Sequence, residues 1–131
     1  MTADDGLATF WLQEQLGFTL TRGDGWARAS LECDERHLNP HGTVHGAVLF
    51  ALIDTAMGAA TMGVIDEGSL CATIEINTRF LEPVFAGTLT ADVQVIKAGR
   101  RIVHLEADLT NGAERSIARA SGSFAVIAKP H

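Results

Sequence analysis

Asp54 is the one formally charged residue in the stretch VHGAVLFALIDTAMGAATMGV, Val44 to Val64. A carboxylate buried without a partner costs several kcal/mol or stays protonated. Such a group is either a hydrogen-bonded structural residue or a nucleophile or general base in a cleft. Residue type alone leaves both readings open at Asp54. The His45-Gly46 pair near the start of the same stretch adds a second element. The first N–H groups of a helix lack internal acceptors, and the helix dipole favours a negative oxygen there. Gly46 lets a ligand approach the backbone closely. Together they make an oxyanion-type site for a carbonyl.

The spacing constrains how these groups cooperate. Gly46 and Asp54 are eight residues apart, so they lie roughly 12 Å apart along a helix axis. One helix cannot apply its own amide and its own carboxylate to the same carbonyl carbon. Two antiparallel helices of a symmetric dimer can, pairing Gly46 of one with Asp54 of the other in two equivalent sites.

Other constellations carry less. His37, His41 and His45 recur every four residues, a metal-ligating interval on a helix. Pro40 and Gly42 interrupt any helix there, so no metal is expected. No glycine-rich phosphate loop or G-x-S-x-G elbow is present. Met57 and Met62 suit a core or the lining of an apolar pocket. Ala47, Ala51, Ala56 and Gly58 leave room beside the helix, and Phe50 is able to stack on an aryl group. Trp11 is expected to pack as a lid over the sheet.

The elements that must hold these residues follow from periodicity. Leu7, Phe10, Trp11 and Leu16 space a short amphipathic helix over 4–17, ended by Gly17. FTLTRGDGWARASLECD reads as a hairpin turning at Gly23-Asp24-Gly25. A loop over 35–43 is marked by Asn39-Pro40 and Gly42, and the long apolar helix follows as far as Gly63. The period then changes to two. Ile74, Ile76 and Phe80 alternate with Glu75, Asn77 and Arg79. Later segments place Leu89, Ala91, Val93 and Val95, then Val103, Leu105, Ala107 and Leu109, then Ala118, Ala120, Gly122, Phe124 and Val126 on apolar faces. Turns fall at Ala86-Gly87, Ala98-Gly99 and Asn111-Gly112. The expected fold is α+β, with a curved antiparallel sheet of about six strands wrapped around one long central helix. That helix is apolar nearly all round. A sheet covers one side, so a second copy of the chain is expected on the other.

Bulk properties agree with one domain over 1–131. A net charge of −6 argues against nucleic-acid or anionic-membrane binding. Cys33 and Cys71 form neither a CxxC pair nor a zinc spacing. The acidic start MTADDGLATF has no basic and apolar leader. A reduced, cytoplasmic protein is therefore expected. Val44–Val64 approaches the length of a membrane span, but its Asp54, its glycines and its lack of basic flanks favour a core helix.

The segment HLNPHGTVHGAVLFALIDTAMGAA resembles the signature of hotdog-fold acyl-CoA thioesterases of the phenylacetic acid degradation type. In that signature an Asn precedes the Gly of a His-Gly pair by seven residues. An acidic residue follows that Gly by eight. Here these are Asn39, His45-Gly46 and Asp54. TIEINTRFLEPV and RASGSFAVI also resemble the family's strands, and the likeness covers nearly all of the chain after Gly17. Ala47 stands where the family often has a second glycine.

The resemblance implies hydrolysis of an acyl-CoA thioester, aryl or medium-chain, to a free acid and CoA. The Gly46 amide would polarise the carbonyl, and Asp54 of the partner subunit would act as nucleophile or as base toward water. Asn39 would hydrogen-bond near the nucleophile or the acyl carbonyl, and Thr73 would help place water. His45 belongs to the motif, with a backbone bond at the helix start as its favoured role. The resemblance further implies dimers paired into a tetramer, CoA at a subunit boundary, and no metal or cofactor. Arg79, Lys97, Arg100 and Arg101 are the basic candidates for the CoA phosphates, with Arg100-Arg101 the best placed. The alternatives are a hotdog enoyl-thioester hydratase or dehydratase, and a non-catalytic acyl-CoA-binding module.

Overall fold

The computed structural model of the chain describes residues 7–128. Its elements run α1 (Trp11–Leu16), β1 (Thr19–Gly23), β2 (Trp26–Cys33), a 3-10 turn (Glu35–His37), α2 (Gly46–Met62), β3 (Ser69–Phe80), β4 (Gly87–Ala98), β5 (Ile102–Asn111) and β6 (Ser116–Ala128). The six strands form one sheet in the order β1-β2-β4-β5-β6-β3, with every neighbouring pair antiparallel. β3 follows α2 in sequence but joins the far edge beside β6. The chain therefore crosses the sheet through α2, which packs on one face.

Alternation builds that face. Leu89, Ala91 and Val93 of β4, Val103, Leu105, Ala107 and Leu109 of β5, and Ala118, Ala120 and Phe124 of β6 are buried. Leu52, Ile53, Ala56, Met57 and Ala60 of α2 join them in one core. Burying each large aliphatic side chain contributes about 1.5–3 kcal/mol. The opposite side of α2 is not covered. Ala47, Phe50 and Met62 are exposed, and Ala51, Asp54, Thr55 and Gly58 are half-buried. No helix among the described residues is long and apolar enough to cross a membrane.

Several details differ from the periodic expectation. Of the helix expected over 4–17, residues 4–6 lie outside the described residues, residues 7–10 are not helical, and α1 starts at Trp11. Trp11 is 75% exposed rather than packed as a lid. The β1–β2 turn narrows to Asp24-Gly25, with Gly25 at φ 79° and Gly23 paired to Trp26. Ile117, which alternation with Ala118 sets on the outer face, is buried. The largest change is in β3. Thr73 pairs with Phe124, and Glu75 pairs with the adjacent Ser123, so Ile74 is an extra, bulged residue. A bulge reverses which side chains face the core. Cys71 and Thr73 before it share the helix-facing side with Ile76 and Thr78 after it, whereas Ile74 is 53% exposed.

Candidate active site

Two backbone ties and a cap set the start of α2. Val44 N–H donates to Val84 O at 2.7 Å, and His45 N–H donates to His37 O at 2.8 Å. His45 is the N-cap, its Nδ1 accepting from Ala47 N–H at 2.9 Å. That bond satisfies one orphan donor of the first turn. Val48 and Leu49 N–H both reach His45 O. The Gly46 N–H finds no acceptor among the described residues. Gly46 lines a cleft of about 310 Å³ with Leu49, Phe80, Leu81, Pro83 and Val84. A β-carbon at Gly46 would sit 3.6 Å from the Phe80 ring, so the glycine leaves the backbone open on this side.

Asn39 organises the loop that leads into the helix. Its Oδ1 accepts from His41 N–H at 2.9 Å and Thr43 N–H at 3.2 Å, and its Nδ2 donates to Thr43 Oγ1 at 2.8 Å. In the single chain its side chain is engaged with its own loop, one Nδ2 hydrogen aside. His37, which the spacing of four offers only as a metal ligand, is buried. Its Nδ1 accepts from Asp34 N–H at 2.9 Å, and its Nε2 donates to Leu16 O at 2.7 Å. It ties the end of α1 to the 3-10 turn. Among the described residues no group of three or more His, Cys, Asp or Glu is arranged to hold a metal ion.

Asp54 lies two turns along α2 and does not line the Gly46 cleft. It is half-buried and hydrogen-bonded. Thr73 Oγ1 donates to its Oδ1 at 2.8 Å. The Ile74 bulge produces this contact, because it lets both Thr73 and Ile76 face the helix. The Cys71 thiol, on the same side, lies 3.8 Å from Gly58 O. Burial first, and the Asp54 carboxylate second, push that thiol's pKa up. Thr78, which no sequence pattern singles out, is a further helix-facing hydroxyl, and its buried Oγ1 has no hydrogen-bond partner among the described residues. Only the register past the bulge assigns it to this side.

The other expected residues are dispersed. Phe50 is exposed on the uncovered side of α2. Met57 is fully buried in the core, where a β-carbon at Gly122 would come within 2.7 Å of its sulfur. Arg79 is exposed on the outer face of β3, opposite Arg119 of β6. Lys97 is exposed near the end of β4, and Arg100 and Arg101 are exposed in the β4–β5 turn. None of these four lines the Gly46 cleft.

A six-stranded antiparallel sheet closed over one long helix, with an open amide at the helix start and a carboxylate two turns on, defines the hotdog class. The thioesterase superfamily model matches residues 41–118, and the chain belongs to that family. The acyl-coenzyme A thioesterase PaaI of Escherichia coli is 33% identical over 102 residues, covering 76% of this chain and 69% of that protein. The solved PaaI structure superposes with a TM-score of 0.83 at 28% identity, over 90% of this chain and 85% of that one. Thioesterase HI1161 of Haemophilus influenzae superposes at 0.89 with 26% identity, over 97% and 90% of the two chains. The matched region spans 63% and 58% of two relatives provisionally named esterases, from Haemophilus influenzae and Pasteurella multocida.

Proposed function

We propose that the chain hydrolyses an acyl-CoA thioester to a carboxylic acid and CoA, at sites shared between two copies. The observation that carries this reading is the pair of unspent groups on α2. Gly46 offers an N–H without an acceptor at a cleft, and Asp54 offers a carboxylate held by a single hydroxyl. Binding alone does not require a carboxylate in that position. Family membership and the PaaI likeness support the substrate class.

The thioester carbonyl oxygen sits against the Gly46 N–H, where the helix dipole adds to the stabilisation of the developing oxyanion. Asp54 of the partner subunit attacks the carbonyl carbon or removes a proton from the attacking water. If Asp54 attacks, the C–S bond breaks to leave an anhydride on Asp54, which water then hydrolyses to the acid and the regenerated carboxylate, and the thiolate takes its proton from solvent; if Asp54 is the base, the proton it takes from water passes to the departing sulfur as the C–S bond breaks. Thr73 orients the carboxylate by donating to one oxygen, which leaves the second free to act. Arg100 and Arg101 face solvent at the turn and suit the CoA phosphates. The β3 edge supports the shared arrangement. It is twelve residues long and ends the sheet, with Leu70 and Ile74 exposed. A long apolar strand edge invites pairing with another chain. Pairing of two β3 edges extends the sheet and brings the uncovered sides of two α2 helices together.

The direct test is thiol release from a panel of aryl, short-chain and long-chain acyl-CoAs by the wild-type chain and by Asp54→Asn. Release by the wild type alone supports hydrolysis and ranks the acyl groups. Equal release by both removes Asp54 from the mechanism. No release from any member of the panel refutes the thioesterase reading.

A further inference from the structure

The Gly46 cleft contains a charge that thioester chemistry does not require. Among the described residues that line it, Glu82 is the one with a charged side chain, set among Val44, Leu49, Phe80 and Val84. A carboxylate there repels a ligand that carries several phosphates. Arg115 offsets that charge, its Nε lying 2.7 Å from Glu82 Oε2. The Arg115 side chain is 67% exposed, and an exposed ion pair contributes little to stability. The backbone on both sides of the pair is nevertheless fixed. Val44 N–H donates to Val84 O, which ties the β3–β4 loop to the start of α2. Leu81 and Glu82 N–H both reach Ile117 O, at 2.8 and 3.3 Å, which ties the same loop to β6. The turn that carries Arg115 is closed by Asn111, whose Oδ1 accepts from Ala113 N–H at 3.0 Å and from Arg115 N–H at 2.9 Å. Short bonded links therefore join the Gly46 amide to the backbone of Arg115.

Reach decides which cations can serve a CoA whose carbonyl rests on this amide. The arm from its sulfur to the first phosphorus has about thirteen bonds, roughly 15 Å when extended. β4 runs away from the cleft for twelve residues, roughly 40 Å. Lys97, Arg100 and Arg101 at its far end are therefore out of reach within one chain and can serve only from the partner subunit. Arg79 stands on the opposite face of the sheet. Arg115 borders the cleft through Glu82. Glu82 occupies its Nε, and no described residue accepts from its Nη1 or Nη2. A guanidinium held at one edge keeps two donors in a fork that matches phosphate oxygens. Resting on the thioesterase reading, we propose that Arg115 grips a phosphate of CoA at the mouth of the Gly46 cleft, with Glu82 holding the guanidinium in place. A cation placed before the ligand arrives loses less side-chain freedom on binding.

Calorimetry of the full chain with CoA, and with pantetheine, which lacks phosphates, tests the assignment. The wild type should bind CoA more tightly than pantetheine. Arg115→Ala should lower the CoA-to-pantetheine affinity ratio about tenfold, the lower end for a charged hydrogen bond because the group is exposed. Arg115→Lys should lower it less, since it keeps the charge and loses the fork. Glu82→Gln should not lower it, because the amide oxygen still accepts from Nε and a negative charge beside the phosphate is gone. An ion pair that only braces the loop gives a different pattern: Arg115→Ala and Glu82→Gln weaken both ligands alike, and the ratio stays fixed. A ratio unchanged in Arg115→Ala therefore overturns the proposal, and so does a wild type that binds the two ligands equally. Hydrolysis of an acyl-pantetheine thioester by the wild type reports the thioesterase reading separately, because that substrate offers Arg115 no phosphate. Its absence defeats that reading, while the CoA ratio still decides Arg115.

Discussion

Complementation between two defective chains tests the shared site most sharply. Gly46 is the first residue of α2, and its N–H has no internal acceptor. Proline is well tolerated at that position and removes the donor. The preceding residue must be extended before a proline, and His45 already is, at φ −63° and ψ 135°. Gly46→Pro therefore deletes one hydrogen-bond donor with little change to the helix. Loss of an oxyanion donor lowers kcat by about 10²–10³-fold. Asp54→Asn removes the carboxylate proposed to act as nucleophile or base, and loss of a general base costs about 10²–10⁴-fold. Each variant alone should be nearly inactive. Co-expressed in equal amounts with different tags, they assemble at random. A working site then needs Gly46 from an Asp54→Asn chain and Asp54 from a Gly46→Pro chain. In a two-fold assembly this combination occurs at about one quarter of the sites, so activity should recover to about 25% of wild type. If one chain supplied both groups, every chain would carry a defect and mixing would recover nothing. Failure to recover, with mixed-tag assemblies shown by sequential affinity capture, refutes the shared-site geometry.

Three further outcomes are expected. Thr73→Val removes the donor to Asp54, a charged-group hydrogen bond worth about 1.5–3 kcal/mol, and kcat/KM should fall about 10- to 100-fold while Thr73→Ser stays near wild type; steady-state kinetics on both variants decides, and an unchanged rate for the valine variant excludes the orienting role. Gly122→Ala places a β-carbon 2.7 Å from Met57 Sδ; overpacking should reduce stability by about 1–3 kcal/mol in urea unfolding, and an unchanged midpoint would show that Met57 moves freely. The Cys33 thiol is pushed up from 9.0 to about 11, by burial first and then by Glu32 and Asp34. The folded chain thus holds this proton more tightly than the unfolded chain, and the associated stability is present below pH 9.0 and lost as pH rises toward about 11. Alkylation followed by peptide mass analysis should show Cys33 reacting with that raised midpoint, and ionisation near 9 would contradict it.

Local periodicity is enough to read most of the fold. The apolar sets of β4, β5 and β6 stand on the helix side as alternation indicates, and α2 begins and ends within two residues of the expected limits. Composition also marks α2 as apolar nearly all round, and one side of it is uncovered in the single chain. Alternation cannot register an inserted residue. Ile74 fits a period of two as well as Ile76 does, yet it bulges outward. Trp11 and Met57 show a related limit of residue type. A tryptophan suits a lid and a methionine suits either a core or a pocket, but only the packing of α1 and the small Gly122 beneath α2 decide where they lie.

The site shows the same division between local and distant information. The Asn39, Gly46 and Asp54 spacing lies within one continuous segment, so it is visible in the sequence. Thr73 reaches Asp54 only because the bulge shifts the first half of β3 by one residue relative to the second. Without that shift, the alternation set by Ile76 would put Thr73 on the outer face with Glu75 and Asn77. The same shift leaves Glu75 opposite Ser123, turned away from the helix. A single extra residue in β3 therefore supplies the donor to the carboxylate on one face and keeps Glu75 on the other. Removing it leaves both halves of β3 in register, because Thr73 opposite Phe124 and Glu75 opposite Ser123 are then successive pairs. Deletion of Ile74 should therefore keep Thr73 beside Asp54, and thioester hydrolysis should persist in the folded deletion variant, whereas insertion of a second residue beside Ile74 should turn Thr73 to the outer face and lower the rate as Thr73→Val does; loss of hydrolysis in a folded deletion variant would show that the bulged backbone itself, and not only the register, holds Thr73 on Asp54.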